Sequence, residues 1–436
     1  MLLINWTNKL FKMRVLLDIA LVIISTVIVI KTYRDLISYR NLSLSAYVIF
    51  LCYIFNCFPI ALDLIAGLPD YMSSFSEFER AAKNDTVSIL YDIYISIAMI
   101  AFYIYFNKYK ISENGSLLHY TPKLWIIQDL IIISPLILYF ILIGDVSDLI
   151  MNSLIDREGD SLSLGIINNL LFISLFFFCI RVFGKKKTLF SYLALLLFLV
   201  MLTLVSGKRF IVAVVLLGYL YSFICSQWRD KKSVPLTLAI GVVGGLFMAF
   251  VVYYITNIKI MGDFSGYIYS QLRIDFGRED VTKFVLMREM EENPILEYRG
   301  ESVLSLLLMV VPRAIWPTKP FPHYRYLTSE LYGINLDELH SGMTPSVFEM
   351  MVANFGYVGM VIAIVLVIAI IRFGDTLKNP NLKLITLIIL IQLFTQSLDV
   401  ILILFYFFLF MVITKRHWIN KKISGVKRII SLNQNE

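Results

Sequence analysis

Between Leu306 and Arg325 the chain carries three cations, Arg313, Lys319 and Arg325, and no acid, with Trp316 and Tyr324 interleaved. Guanidinium forks match phosphate oxygens, and aromatic faces stack on sugar rings, so this composition suits a diphosphate attached to sugars. The same cations also suit a solvated rim touching lipid headgroups, and composition leaves both readings open. Proton chemistry would need a carboxylate or an imidazole nearby, and Asp280, His323, His340, Glu349 and Asp399 are the candidates. His340 precedes a Ser-Gly turn and has an ordinary pKa of about 6.5, in the range of a working base. Glu349 falls near the start of an apolar segment, where its charge also suits a helix N-terminus. Asp399 lies among apolar residues, where an acid costs about 2.5 to 3.5 kcal/mol and tends to be functional or paired. Asp92 is a second such acid, with a pairing partner on a neighbouring helix as its simplest explanation.

The elements that must position these groups are membrane helices. Hydrophobic residues make up 58% of the chain and charged residues 16%, and the mean hydropathy is +0.75. Apolar runs cover 15–30, 43–66, 87–107, 124–143, 163–183, 189–205, 210–226, 235–256 and 350–371. Each approaches the roughly 20 residues that cross a bilayer, and a helix satisfies its own backbone in lipid. The run at 382–414 is too long for one span, and its polar centre (Gln392, Thr395, Gln396, Ser397, Asp399) predicts a hairpin of two. The expectation is therefore an all-α polytopic protein with about 11 transmembrane helices. Helices 1–8 fall within 1–256, a large, partly helical outer loop covers 257–345, helices 9–11 fall within 346–414, and a basic tail follows at 415–436.

Charge orients this arrangement. One alternate set of short loops, with the C-terminal tail, holds 22 Lys and Arg residues against 8 in the other set. The positive-inside tendency then predicts the N-terminus and the 257–345 loop outside and the C-terminus in the cytoplasm. Lys9, Lys12 and Arg14 run against it. The first apolar run lacks a small-residue cleavage site and reads as a retained span. Cys52, Cys57, Cys179 and Cys225 all fall inside predicted spans, so neither a disulfide framework nor a cysteine metal site is expected. No nucleotide-binding glycine loop or His-Glu-x-x-His motif is present. The net charge of +7 fits cytoplasmic loops on anionic lipid, and no nucleic-acid partner is expected.

Several segments in order resemble the bacterial oligosaccharide repeat-unit polymerases, the O-antigen or Wzy-type family. Ser206-Gly207-Lys208-Arg209 looks like the family's small-residue turn ending in Arg before a span. Arg273, Phe276 and Asp280 look like its Arg-x-x-Phe segment followed by an acid, here opening an amphipathic helix. Pro312 through Pro320 looks like its Pro, Trp-Pro and Lys-Pro signature. Ser341 through Ser346, Glu349 and Asn354 through Gly359 look like its entry into the next span. Lys208 departs from the pattern, which has a small or polar residue there.

The resemblance implies a membrane glycosyltransferase of the C type in the bacterial cytoplasmic membrane. Its donor would be an undecaprenyl-diphosphate-linked glycan and its acceptor a sugar hydroxyl of another lipid-linked repeat unit, yielding O-antigen, capsule or exopolysaccharide. Arg209, Arg273 and Arg313, with Lys319, would bind the diphosphate; Trp316 and Tyr324 would contact sugars; and His340, Glu349, Asp280 or Asp399 would accept the proton. No metal and no cofactor are implied. The partners implied are membrane lipids, a chain-length regulator and a flippase. An O-antigen ligase uses the same donor, and a flippase or exporter would instead show related halves, short loops and central cations.

Overall fold

The computed structural model describes residues 2–38, 41–69, 71, 75–111, 125–142, 170, 171, 173–181, 214, 217, 218, 221, 269, 273, 277–308, 311, 315–339, 342–396, 406 and 409. Among them the regular structure is entirely helical. The helices are α1 (Leu2–Ile37), α2 (Ser45–Cys52), α3 (Phe58–Ala66), α4 (Ser76–Lys83), α5 (Asp85–Lys108), α6 (Trp125–Leu142), α7 (Arg278–Met290), α8 (Glu301–Leu307), α9 (His323–Tyr332), α10 (Val347–Phe355), α11 (Val358–Thr376) and α12 (Pro380–Thr395).

Four stretches are long and apolar enough to cross a membrane: Lys9–Leu36, Ser45–Ala66, Asp85–Lys108 and Val358–Thr376. Shorter apolar helices run over Ile126–Ile141 and Pro380–Thr395. These make the chain a helical membrane protein. The expected runs at 189–205 and 235–256 and the second arm of the 382–414 hairpin lie outside the described residues, apart from Tyr406 and Leu409. Only parts of 163–183 and 210–226 are described.

Two expected spans differ in detail. The 43–66 run is continuous but carries a π turn over Tyr53–Cys57. Pro59 explains it: proline has no N–H for the carbonyl four residues back, and a locally wider turn accommodates the defect. The run predicted at 350–371 is two helices. Gly356 breaks it with φ +61° and ψ −148°, a conformation essentially reserved for glycine. The span proper is α11, and Glu349 belongs to the short helix before it.

Helix α5 is the hub, packing against α1, α2, α4, α7 and α11. Helix α11 turns Gly359, Ala363, Ile364, Val367, Ile371 and Gly374 inward, a stripe at helical period with small residues at close approaches. A Cβ at Gly374 would sit 2.6 Å from both Leu44 and Thr386 side chains.

The two ends of the spans are chemically distinct. At one end Asn41 caps the α5 terminus through the Phe106 carbonyl and the Ile111 N–H, and Asp375 accepts from the Leu44 N–H at 2.9 Å and from Ser43. At the other end Arg14 on α1 meets Asp85 at the start of α5, 3.2 Å away. Helices α4 and α7 pack at this second end. Phe78 meets Phe284 edge to face at 5.8 Å, and Arg80 pairs with Glu291 at 2.5 Å. Helices α8, α9 and α10 assemble around α7 here. The described residues of 67–84 and 277–346 thus share one end, opposite those of 38–44, 109–111 and 377–379.

Candidate functional site

Helix α7 positions the densest set of charged groups. The sequence predicts an amphipathic helix, but ten of its residues, Glu279 through Met287 and Glu289, are buried. The helix is enclosed by α4, α5 and α10, so the polar residues of its first turns face protein on nearly all sides.

At its N-terminus Arg273, fully buried, is gripped by three carboxylates. Asp63, near the end of α3, accepts from Nε at 2.7 Å and from a terminal nitrogen at 2.8 Å, a two-pronged pair across 210 residues of sequence. Asp280 takes two further contacts at 3.1 and 3.3 Å, and Glu279 lies against the same guanidinium. The Tyr71 hydroxyl donates to Asp280 at 2.8 Å, and the Tyr269 hydroxyl donates to Asp63 at 2.9 Å. Gly277 makes this possible. A Cβ there would lie 2.3 Å from the Arg273 carbonyl and 2.6 Å from its guanidinium.

Burial dominates the electrostatics of this cluster. Arg273 and Lys283, with Arg278 acting on Glu279 as well, face Asp63, Glu279 and Asp280, and Arg273, Lys283, Glu279 and Asp280 are almost completely buried. Burial pushes the carboxyls of Glu279 and Asp280 up, against the pull of Arg273. Neither Glu279 oxygen has a well-directed hydrogen-bond donor. Burial and the crowding of like charges both work against full ionisation of Glu279 and Asp280, while the neighbouring cations work for it. Burial likewise holds the Tyr71 phenol protonated, as a donor to Asp280.

Glu349 sits nearby on α10 with a different duty. It forms a capping box with Ser346, and Thr282 on α7 donates to it at 3.4 Å. Arg278 reaches over it to the Thr344 carbonyl at 2.9 Å. Glu349 is fully buried, and this pushes its carboxyl up to about 8. Its helix-terminal role is therefore built in detail.

The structure brings Arg273 and Asp280 together, but as partners of each other. The donors expected to meet a diphosphate at Arg273 are occupied by carboxylates, and Asp280 is enclosed by Arg273 and Tyr71. Trp316 and Lys319 form a separate turn. The indole N–H donates to Thr318 at 3.0 Å, and the Lys319 ammonium donates to the Val311 carbonyl at 3.1 Å. Tyr324 is half-buried on α9 beside Gly342. His323, the other candidate base in this region, is buried, with Ser302 3.4 Å away, and burial pushes it down to about 3, so it is neutral. His340, Asp399, Arg209 and Arg313 lie outside the described residues.

Asp63, Glu279, Gly277 and Lys283 were not singled out from sequence. Asp63 carried a signal, as an acid inside an apolar run. The helix partner expected for Asp92 is not found: Asp92 is buried on α5, and among the described residues neither of its carboxylate oxygens has a hydrogen-bond partner. Among the described residues no group of three or more His, Cys, Asp or Glu is arranged to hold a metal. No protein-family model, curated protein or solved structure matches the chain.

Proposed function

We propose that this protein joins polyprenyl-diphosphate-linked oligosaccharide repeat units into a surface polysaccharide on the outer face of a bacterial cytoplasmic membrane, using about 11 spans. The observation that carries the reading is the assembly of the described parts of 277–346 on a single end of the spans, with the half-exposed Trp316–Lys319 turn on it. An enzyme acting on a lipid-embedded diphosphate needs ordered polar groups at that level. Three of the four motifs resembling the repeat-unit polymerases fall in this segment of sequence or next to it; Ser206–Arg209 is the exception.

In the proposed reaction an acceptor sugar hydroxyl attacks the anomeric carbon of the donor glycan. The bond from that carbon to the diphosphate breaks, and the lipid diphosphate leaves with the electron pair. Fixed cations lower the barrier by meeting the charge that builds on the leaving group. Arg209, Arg313 and Lys319 are assigned that role. Arg273 is assigned to holding α7 in place, because its donors are engaged by Asp63, Glu279 and Asp280. The acceptor proton passes to a base on the same face, with His340, Asp399, Glu349 and Asp280 as candidates; the burial of the last two favours His340 or Asp399.

Purified protein supplied with lipid-linked repeat units, with chelator present and no nucleotide, is expected to yield a ladder of lipid-linked polymers. Transfer of glycan only to a lipid A core would make the protein a ligase. Translocation without a new glycosidic bond would make it a transporter.

A further inference from the structure

Helix α8 is built inside out for a helix facing water. Its serines point inward: Ser302 is 1% exposed and hydrogen-bonds Asn354 at 3.0 Å, and Ser305 is 4% exposed and donates to the Pro320 carbonyl at 2.9 Å. Leu306 packs against the core, but Leu304 and Leu307 point outward, 42% and 64% exposed. In the turn that follows, Ile315 is 76% exposed. Single exposed apolar residues are ordinary, but a helix that hides its serines and presents leucines has its polarity set for an apolar surrounding.

The position of α8 says what that surrounding is. Ser302 meets Asn354 at the end of α10, and Arg299, just ahead of α8, donates to the Ala353 carbonyl at 3.0 Å. Those residues immediately precede the break at Gly356 where α11 begins. The first turns of α11 carry exposed Tyr357, Val358 and Val361 on a helix apolar enough to cross a membrane. Helix α8 therefore packs beside the exposed, apolar start of a span. Trp316, on the same turn as Ile315, has its indole N–H satisfied by Thr318, and tryptophan is a residue of the membrane–water boundary.

We propose that α8 and the turn through Trp316 are an interfacial element, with Leu304, Leu307 and Ile315 inserted into the bilayer beside the entry of α11. The occupant of this surface is the lipid of the membrane that the chain's own spans cross. The element rests on the membrane reading alone and is independent of any enzyme activity. It lays α8 down on the bilayer surface, so that the helix does not project into water.

The test uses the full chain in phospholipid vesicles, with Cys225→Ser and the buried Cys52, Cys57 and Cys179 retained. A nitroxide is attached at Leu304→Cys, Leu307→Cys or Ile315→Cys, with Val361→Cys as the span reference and Asp337→Cys as the solvent reference. All five positions are exposed, so the labels leave the packing intact. The collision rate with oxygen relative to a water-soluble nickel chelate is expected to be several-fold higher at 304, 307 and 315 than at 337, approaching that at 361. Ratios at 304 and 307 equal to that at 337, with 361 in lipid, would overturn the proposal. A water-like ratio at 361 would overturn the membrane reading and the proposal with it.

Discussion

Replacing Arg273 with Ala tests the carboxylate cluster directly. The change removes a fully buried guanidinium that makes four hydrogen bonds, at 2.7, 2.8, 3.1 and 3.3 Å, to Asp63 and Asp280 and also lies against Glu279. Three carboxylates then remain, with Lys283 and Arg278 as the nearby cations. Breaking a buried pair by deleting one partner costs about 3–5 kcal/mol, because the other charge stays behind without compensation. Glu279→Gln acts in the opposite sense. It leaves Asp63 and Asp280 engaged with Arg273 and removes the carboxylate that lacks a well-directed donor. Its expected cost is under about 1 kcal/mol. Reversible unfolding in mixed micelles measures both, and protease sensitivity of the 291–300 segment reports release of α7. Equal stability of Arg273→Ala and the wild type, or equal damage from the two variants, would refute the charge balance drawn here.

Three further predictions rest on separate observations. Glu349→Gln keeps a residue able to cap α10 and removes a carboxyl that titrates at about 8 in the fold, against an ordinary 4.5. Because the folded value is the higher one, the wild type is expected to lose stability as pH rises from about 4.5 through 8, by up to about 1.4 kcal/mol per pH unit; unfolding free energy of the variant should be flatter over that window. Gly277→Ala places a Cβ 2.3 Å from the Arg273 carbonyl and should reproduce much of the Arg273→Ala loss, which the same unfolding assay reads. Arg313→Ala should abolish polymer while single-repeat glycan and protein level persist, with Arg313→Lys rescuing poorly because an ammonium lacks the two-pronged contact; gel sizing of lipid-linked glycans decides it.

The sequence made the membrane class legible because hydropathy follows directly from the solvent the helices must occupy. The spans at 87–107 and 43–66 were placed within a few residues. The break at Gly356 was not, because the residues on both sides are apolar and only the backbone angle of one glycine separates α10 from α11. The partnership of Asp63 with Arg273 was equally hidden, since 210 residues intervene and neither residue's neighbours hint at the other. Glu349 as a capping residue was readable, from a serine three positions ahead of an acid. The burial of α7 was not. Its alternation of charged and apolar residues suits a water-facing helix, and only the enclosing helices reverse that reading.

The grip of Asp63 on Arg273 also bears on how the chain is made. Asp63 emerges with the second span, but its cation is synthesised 210 residues later. At about 5–20 residues per second that delay is roughly 10 to 40 s. During that interval the early helices hold a carboxylate near the membrane boundary with its eventual partner absent. The N-terminal bundle is therefore provisional until the second half arrives, and a chain interrupted before residue 273 carries a standing mark of incompleteness that membrane proteases and chaperones are equipped to recognise.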